Sequence, residues 1–293
     1  MYYLLYAFLY ALSLLPWKIL YLISDGIYGI LYYIVGYRKQ VVMNNLSIAF
    51  PEKTQQERIN IAKEFYHNFL DTFIETLKFI SLSDKQFSKR VTGNFGLLSE
   101  LYATGQSVQL QSGHFFNWEY MNWAVPRNTP YPFIGVYAPI KNKAADKIMY
   151  DLRGRYKTIL VSAYNFKSSF HQLSKSIYAL GLAADQNPAN TTRSYWVSFF
   201  GKLAPFVTGP EKGAVVNNTA VVFVHFYKMK RGYYHADFNL VTTTPKEYAA
   251  GELTKMFVRF LEECIRKKPA NYLWSHRRWK HEFREEFRKN LFE

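Results

Sequence analysis

Between Ser107 and Val241 the sequence alternates short apolar runs of strand length with segments of helical periodicity, and few architectures accommodate that alternation. Ser107–Gln111, Tyr131–Tyr137, Thr158–Val161, Ala179–Ala184 and Val221–Lys228 read as strands. Asn117–Ala124, Ala144–Tyr156, Phe166–Ser176 and Pro210–Asn217 read as helices between them. Strands separated by helices give an α/β fold, with a mixed, largely parallel sheet flanked by helices. Tyr233–Val241 is expected to pair with Val221–Lys228 as a hairpin, and Ala249–Lys267 is a long amphipathic helix. Upstream, Ile59, Ile61, Ala62, Phe65, Phe69 and Phe73 recur at helical spacing over Gln55–Ser81. A shorter helix, Leu97–Thr104, stops at Gly105. No repeat and no low-complexity linker interrupts the chain. We therefore read one catalytic domain, 41–293, preceded by an apolar helical extension, 1–40.

That extension is the least ordinary part. Met1–Trp17 carries no charge, Lys18 and Asp25 interrupt the next stretch, and apolar character resumes to Tyr37 before Arg38-Lys39. A spanning helix needs roughly 20 apolar residues, so Met1–Trp17 alone is marginal, and Pro16 marks a break. A secretory signal is disfavoured by the missing basic start and missing small-residue cleavage site. Two readings remain: a membrane-anchoring segment with the basic residues after it held on the cytoplasmic side, or apolar helices packed on the domain with tyrosines at the rim. We expect the anchor.

The 293 residues carry a formal net charge of +15 although 49% are hydrophobic, which describes a folded core with a basic exterior rather than a disordered basic tail. Such charge suits an anionic membrane, a polyanionic substrate or nucleic acid. No zinc-finger or RNP-like spacing supports the last, so no nucleic-acid partner is expected. The aromatic fraction of 18% suits a lipid–water interface as well as a core. The single cysteine, Cys264, reads as an apolar filler, and no metal site is expected.

The chemistry-bearing residues lie where predicted strands end. Ser112-Gly113-His114 closes the first strand, and Glu119 follows inside the next helix. A carboxylate that orients an imidazole makes a general base, and Gly113 is small enough to let a substrate approach. Taken alone, this spacing equally suits helix-start packing with a surface carboxylate. Asp185 and Gln186 end the strand Ala179–Ala184, in a run that also has ordinary turn chemistry. Arg153 and Arg155 flank Gly154, where a guanidinium would hold phosphate or merely favour the helix end. The tail Tyr272–Lys280 alternates aromatic and basic residues, including Arg277 and Arg278, a pattern suited to lipid phosphates. A charged helix over Glu282–Lys289 is expected to do no more than solvate its face. His225 and His235 lack metal-ligand spacing and read as structural. No Gly-x-Ser-x-Gly elbow occurs, so the enzyme need not supply the nucleophile.

Taken in order, these segments resemble the lipid A late acyltransferases of lipopolysaccharide assembly. The resemblance runs through Asn45–Glu52, Ser112-Gly113-His114 to Glu119, Arg153-Gly154-Arg155, Ala184-Asp185-Gln186, Phe199-Phe200-Gly201 with Gly209-Pro210, and Trp274–Lys280. It implies a glycerolipid-acyltransferase-like fold at the inner membrane, its catalytic domain facing the cytoplasm. It also implies transfer of a fatty acyl group from acyl carrier protein or coenzyme A to a hydroxyl of a phosphorylated glycolipid, with no cofactor beyond that co-substrate. By that resemblance His114 is the base and Glu119 its partner, Arg153 (or equally Arg155) binds phosphate or the oxyanion, and Asp185 is a further acidic site residue. Asn117, Gln186, Arg155, Arg277 and Arg278 are the expected substrate contacts. Phe115-Phe116 stands where many members carry a smaller residue. The alternatives are a same-fold transferase for another acceptor, such as a polyene or amino-acid lipid, and a non-catalytic lipid-binding protein.

Overall fold

The computed structural model describes residues 2–292; Met1, with which the predicted apolar extension begins, and Glu293 lie outside the described residues. The chain opens with α1 (Tyr2–Ser13) and α2 (Trp17–Gly29), broken at Pro16, whose missing N–H costs nothing at a helix start. A π-helical run, Ile30–Val35, extends α2 and ends at Gly36, whose φ of 63° is the left-handed conformation that glycine adopts freely. Then come α3 (Lys39–Ala49), α4 (Gln55–Lys78), α5 (Asp84–Ser88), β1 (Val91–Gly93) and α6 (Gly96–Ala103). Thr54 and Glu57 form a capping box at the start of α4. There follow β2 (Val108–Ser112), α7 (Trp118–Asn128), β3 (Phe133–Tyr137), α8 (Lys143–Gly154), β4 (Ile159–Ser162), α9 (Phe166–Leu173) and β5 (Ala179–Ala183). The remainder is β6 (Tyr195–Phe199), β7 (Lys202–Phe206), α10 (Gly209–Asn217), β8 (Ala220–Lys230), β9 (Tyr233–Thr242), α11 (Glu252–Lys267) and β10 (Leu291–Phe292).

Seven strands form one sheet in the order β1-β9-β8-β2-β5-β3-β4. Strands β8, β2, β5, β3 and β4 are mutually parallel, while β9 returns antiparallel beside β8 and carries β1 on its outer edge. The expected α/β class and the hairpin are both present. Helices cover both faces, which is why β8 opens on a near-continuous apolar run, Ala220–Phe226, with His225 alone interrupting it. Val221 and Phe223 pack with Phe257, Val258 and Leu261 of α11. Val222, Val224 and Phe226 pack with Tyr120 and Trp123 of α7.

A second sheet, β10-β6-β7, had no counterpart in the strand reading. Its hairpin turns through Phe200 and Gly201, with φ of 52° and 73°. That is the left-handed pair a two-residue hairpin needs, but phenylalanine stands where Asn or Asp would announce it. The tail also differs from expectation. Glu285–Asn290 is a 3-10 turn rather than a solvated helix, Phe287 stacks on Trp196 at 5.2 Å, and β10 pairs parallel with β6.

The amino-terminal helices sit against α4 through polar contacts on one face. Lys78 Nζ donates to the carbonyls of Ser13 (2.7 Å) and Leu15 (3.0 Å), Ser24 Oγ donates to Asp71 (2.9 Å), and Arg231 bridges Asp71 and Asp25. The opposite face is bare: Leu4, Phe8, Leu22, Tyr33 and Ile34 are exposed. The helical run Trp17–Val35, 19 residues, is long and apolar enough to cross a membrane, whereas Tyr2–Ser13 is too short.

Candidate active site

Register brings the site together. In the parallel pair β2–β5, Ser112 lies opposite Ala183, so the residues two positions beyond each strand end, His114 and Asp185, also meet. His114 Nδ1 lies 2.6 Å from Asp185 Oδ1. Asp185 is 1% exposed. Burial by itself would raise its pKa, but the adjoining imidazole outweighs that and brings it to about 2. Burial likewise pushes the His114 pKa down, and the Asp185 charge more than compensates, leaving it raised. An ionised carboxylate only accepts, so Nδ1 carries the proton and Nε2 keeps its lone pair.

The His114 turn is fastened from the far end of the chain. Leu273 N donates to the His114 carbonyl (3.1 Å), Phe116 N donates to the Asn271 carbonyl (2.9 Å), and Phe115 forms an isolated bridge with Tyr272. The Tyr272 hydroxyl also bears on Asp185. Gly113 lines the space beside His114 and also serves packing: a Cβ there would stand 2.6 Å from Leu261 Cδ1 of α11.

Glu119 does not pair with His114. Its carboxylate is gripped by Arg153, with Nε 3.0 Å from Oε2 and Nη2 on Oε1, while the Trp118 indole donates at 3.2 Å. Sequence spacing suggested a direct His114–Glu119 contact because it sees one turn of helix and not the neighbouring strand. Trp118 touches both groups, its ring edge-to-face with His114 at 5.8 Å. The two arginines differ in placement. Arg153 lines the cavity beside His114, whereas Arg155 donates to the Phe79 carbonyl (3.0 Å) and stacks on Trp123.

His114, Glu119 and Arg153 stand on one cavity of about 360 Å³ at the carboxyl ends of β2, β5 and β3. Its remaining lining is mostly apolar. Leu110, Gly181 and Gly135 form one row of the sheet, in register across β2, β5 and β3, and the two glycines leave open the space between sheet and α7. A Cβ on Gly181 would stand 2.7 Å from Phe133 Cζ. Phe115 lines the cavity, while Phe116 is buried among Phe65 and Phe69.

Three expected substrate contacts belong to the scaffold instead. Asn117 is fully buried; its side chain accepts from Glu119 N and donates to the Thr72 carbonyl and Glu75. Arg155 is occupied as described above. Arg278 is 1% exposed, donates to Asn187 Oδ1 and the Pro205 carbonyl (both 2.9 Å), and lies over the Phe206 ring at 4.1 Å. Asn45 ties the same segment down, donating to the carbonyls of Trp274 and His276 (both 2.7 Å). An aromatic-basic alternation reads alike at an interface and in a core, which is why the tail looked like a headgroup patch. Arg277 is exposed, and Gln186 is half-buried beside Asp185. Sequence reasoning missed Asn271, Tyr272 and Trp118; the resemblance through Trp274–Lys280 was the nearest signal. Among the described residues no metal-holding cluster occurs, Cys264 is buried, and His235 is held by Thr92 and Asp237. His225 is buried, and burial depresses its pKa to about 4.

Residues 1–281 match the sequence model described as bacterial lipid A biosynthesis acyltransferase. Over 269 residues the chain is 23% identical to the lipid A biosynthesis lauroyltransferase of Escherichia coli (strain K12), spanning 91% of this chain and 87% of that protein.

Proposed function

Because this chain belongs to the bacterial lipid A biosynthesis acyltransferase family, and is accordingly an O-acyltransferase, we propose that it moves a fatty acyl group from a thioester donor to a hydroxyl of a lipid A precursor. The observation that carries the mechanism is the His114–Asp185 pair at 2.6 Å beside an apolar cavity. As the acceptor hydroxyl attacks the thioester carbonyl, His114 Nε2 takes its proton, and the ionised Asp185 stabilises the resulting imidazolium. Collapse of the tetrahedral intermediate expels the thiolate, which takes the proton back from His114. The developing oxyanion needs a donor. Arg153 meets that need, since Nε and Nη2 hold Glu119 and the Nη1 donors remain for the substrate. Glu119 is thus the residue that fixes the guanidinium, and the apolar cavity takes the acyl chain.

The donor is acyl carrier protein or coenzyme A, both acidic and drawn to a surface of net charge +15. The bare faces of α1 and α2 seat the protein on the cytoplasmic side of the inner membrane, where the acceptor lies. The test is transfer of radiolabelled acyl groups from carrier protein to a lipid A precursor by detergent-solubilised protein. Acylated product that depends on both substrates supports the reading; thioester hydrolysis alone, with every glycolipid acceptor left untouched, overturns it.

A further inference from the structure

A second apolar cavity, of about 300 Å³, lies on the opposite face of the same sheet. Strand parity separates the two. Leu110, Gly181 and Gly135 face the cavity of His114, while Gln109 and Leu180, the next row in the register, face the second one, between sheet, α9 and α10. Phe166, Phe170 and Val207 complete its wall, and among the described residues no titratable side chain lines it. Val136, Leu182 and Ala183 line both cavities, so the two spaces converge at the carboxyl ends of β3 and β5. Ala184, which also lines the second cavity, immediately precedes Asp185.

We infer that this second cavity is a binding site for an alkyl chain of the acceptor lipid, an inference that rests on the acyl-transfer reading above. The reaction brings together two partners, each with a hydrocarbon tail, and their reacting atoms must meet at His114. Arg153, the donor suited to the thioester oxyanion, stands in the first cavity, which assigns the donor chain there. The second offers mostly apolar surface, Gln109 being the polar exception, and reaches Ala184, the residue before Asp185. A chain seated in it would present a hydroxyl near its head to Nε2. Size agrees: a 150 Å³ apolar cavity accepts benzene, so about 300 Å³ accepts an aliphatic segment of roughly ten to twelve carbons.

The experiment compares wild type with Val207→Trp, using one acyl-carrier donor series and glycolipid acceptors whose hydroxylated chains are long or short. Val207 lines the second cavity and not the first. An indole that displaces about three methylenes, at roughly fourfold each, should lower kcat/KM for the long-chain acceptor roughly 60-fold. Short-chain acceptors and donor-length preference should be unchanged. A shift in donor preference, or equal activity with both acceptors, overturns the assignment. Should the variant not fold, wild type with a diazirine at the acceptor chain's end gives the same answer. Labelling of peptides carrying Phe166, Phe170 or Val207 supports the site, and labelling confined to Phe133 and Phe226 refutes it. Absence of transfer to any acceptor would sink the acyl-transfer reading itself. Transfer insensitive to acceptor chain length sinks only the second site.

Discussion

Replacing Asp185 by asparagine keeps size and a hydrogen-bonding group beside His114 while removing the charge that stabilises the imidazolium. The magnitude follows from the pair itself. Asp185 is held from 3.8 to about 2 despite complete burial, a preference for the ionised form on the order of 2–3 kcal/mol at about 1.36 kcal/mol per unit. Loss of that stabilisation lowers turnover by roughly 10²-fold, and misorientation of the ring extends the loss toward the roughly 10⁴-fold limit of general-base catalysis. KM for the donor should move little, because Asp185 is buried behind His114. The pH dependence carries a separate signature. In wild type the Asp185 charge overcomes burial and raises the His114 pKa, so the acidic limb of kcat/KM lies above the ordinary histidine value of about 6.5. In Asp185→Asn only burial acts, and the limb moves below that value. The paired aspartate also contributes stability that is present above its unfolded pKa of about 3.9 and is lost as pH falls through about 2. The assay is initial-rate acyl transfer across pH, with circular dichroism to verify folding. Wild-type turnover in a folded Asp185→Asn protein, together with collapse in Glu119→Gln at an unshifted limb, would refute the pairing and restore Glu119 as the partner.

Gly181→Ala places a Cβ 2.7 Å from Phe133 Cζ, so the acyl-length profile, read by mass spectrometry of the product lipid, should shift to shorter donors; an unchanged profile removes this row from the chain's path. Arg278→Ala leaves the Asn187 oxygen and the Pro205 carbonyl without their buried donor. It should cost about 2–5 kcal/mol in chemical unfolding while leaving binding to anionic vesicles intact. Lost vesicle binding at unchanged stability would instead make this arginine a headgroup contact. Leu22→Asp with Ile34→Asp, both on the bare face of the amino-terminal helices, should release the folded protein from membrane fractions; persistence there would mean that another surface anchors it.

The parallel core was legible in sequence because both of its faces are buried, so strands such as Val221–Lys228 appear as largely apolar runs between amphipathic helices. The β6–β7 hairpin was not, because Phe200-Gly201 makes a left-handed turn with an aromatic in place of Asn-Gly. His114, Glu119, Arg153 and Asp185 were all picked out at strand or helix ends, but their partnerships were not. Which carboxylate meets the imidazole depends on the Ser112–Ala183 register, a relation between positions 71 residues apart that no local spacing encodes. Arg278 and Asn117 misled for a related reason: their polarity is spent on buried neighbours that come from elsewhere in the chain.

In the proposed mechanism His114 removes the proton from the acceptor hydroxyl as acyl transfer occurs. Single-turnover transfer by His114→Ala, preloaded with labelled acyl-carrier donor and mixed with a lipid A precursor, tests it most directly. The expected result is intact donor binding with acyl transfer slowed by roughly 10²–10⁴-fold. Product formed at the wild-type rate would contradict it.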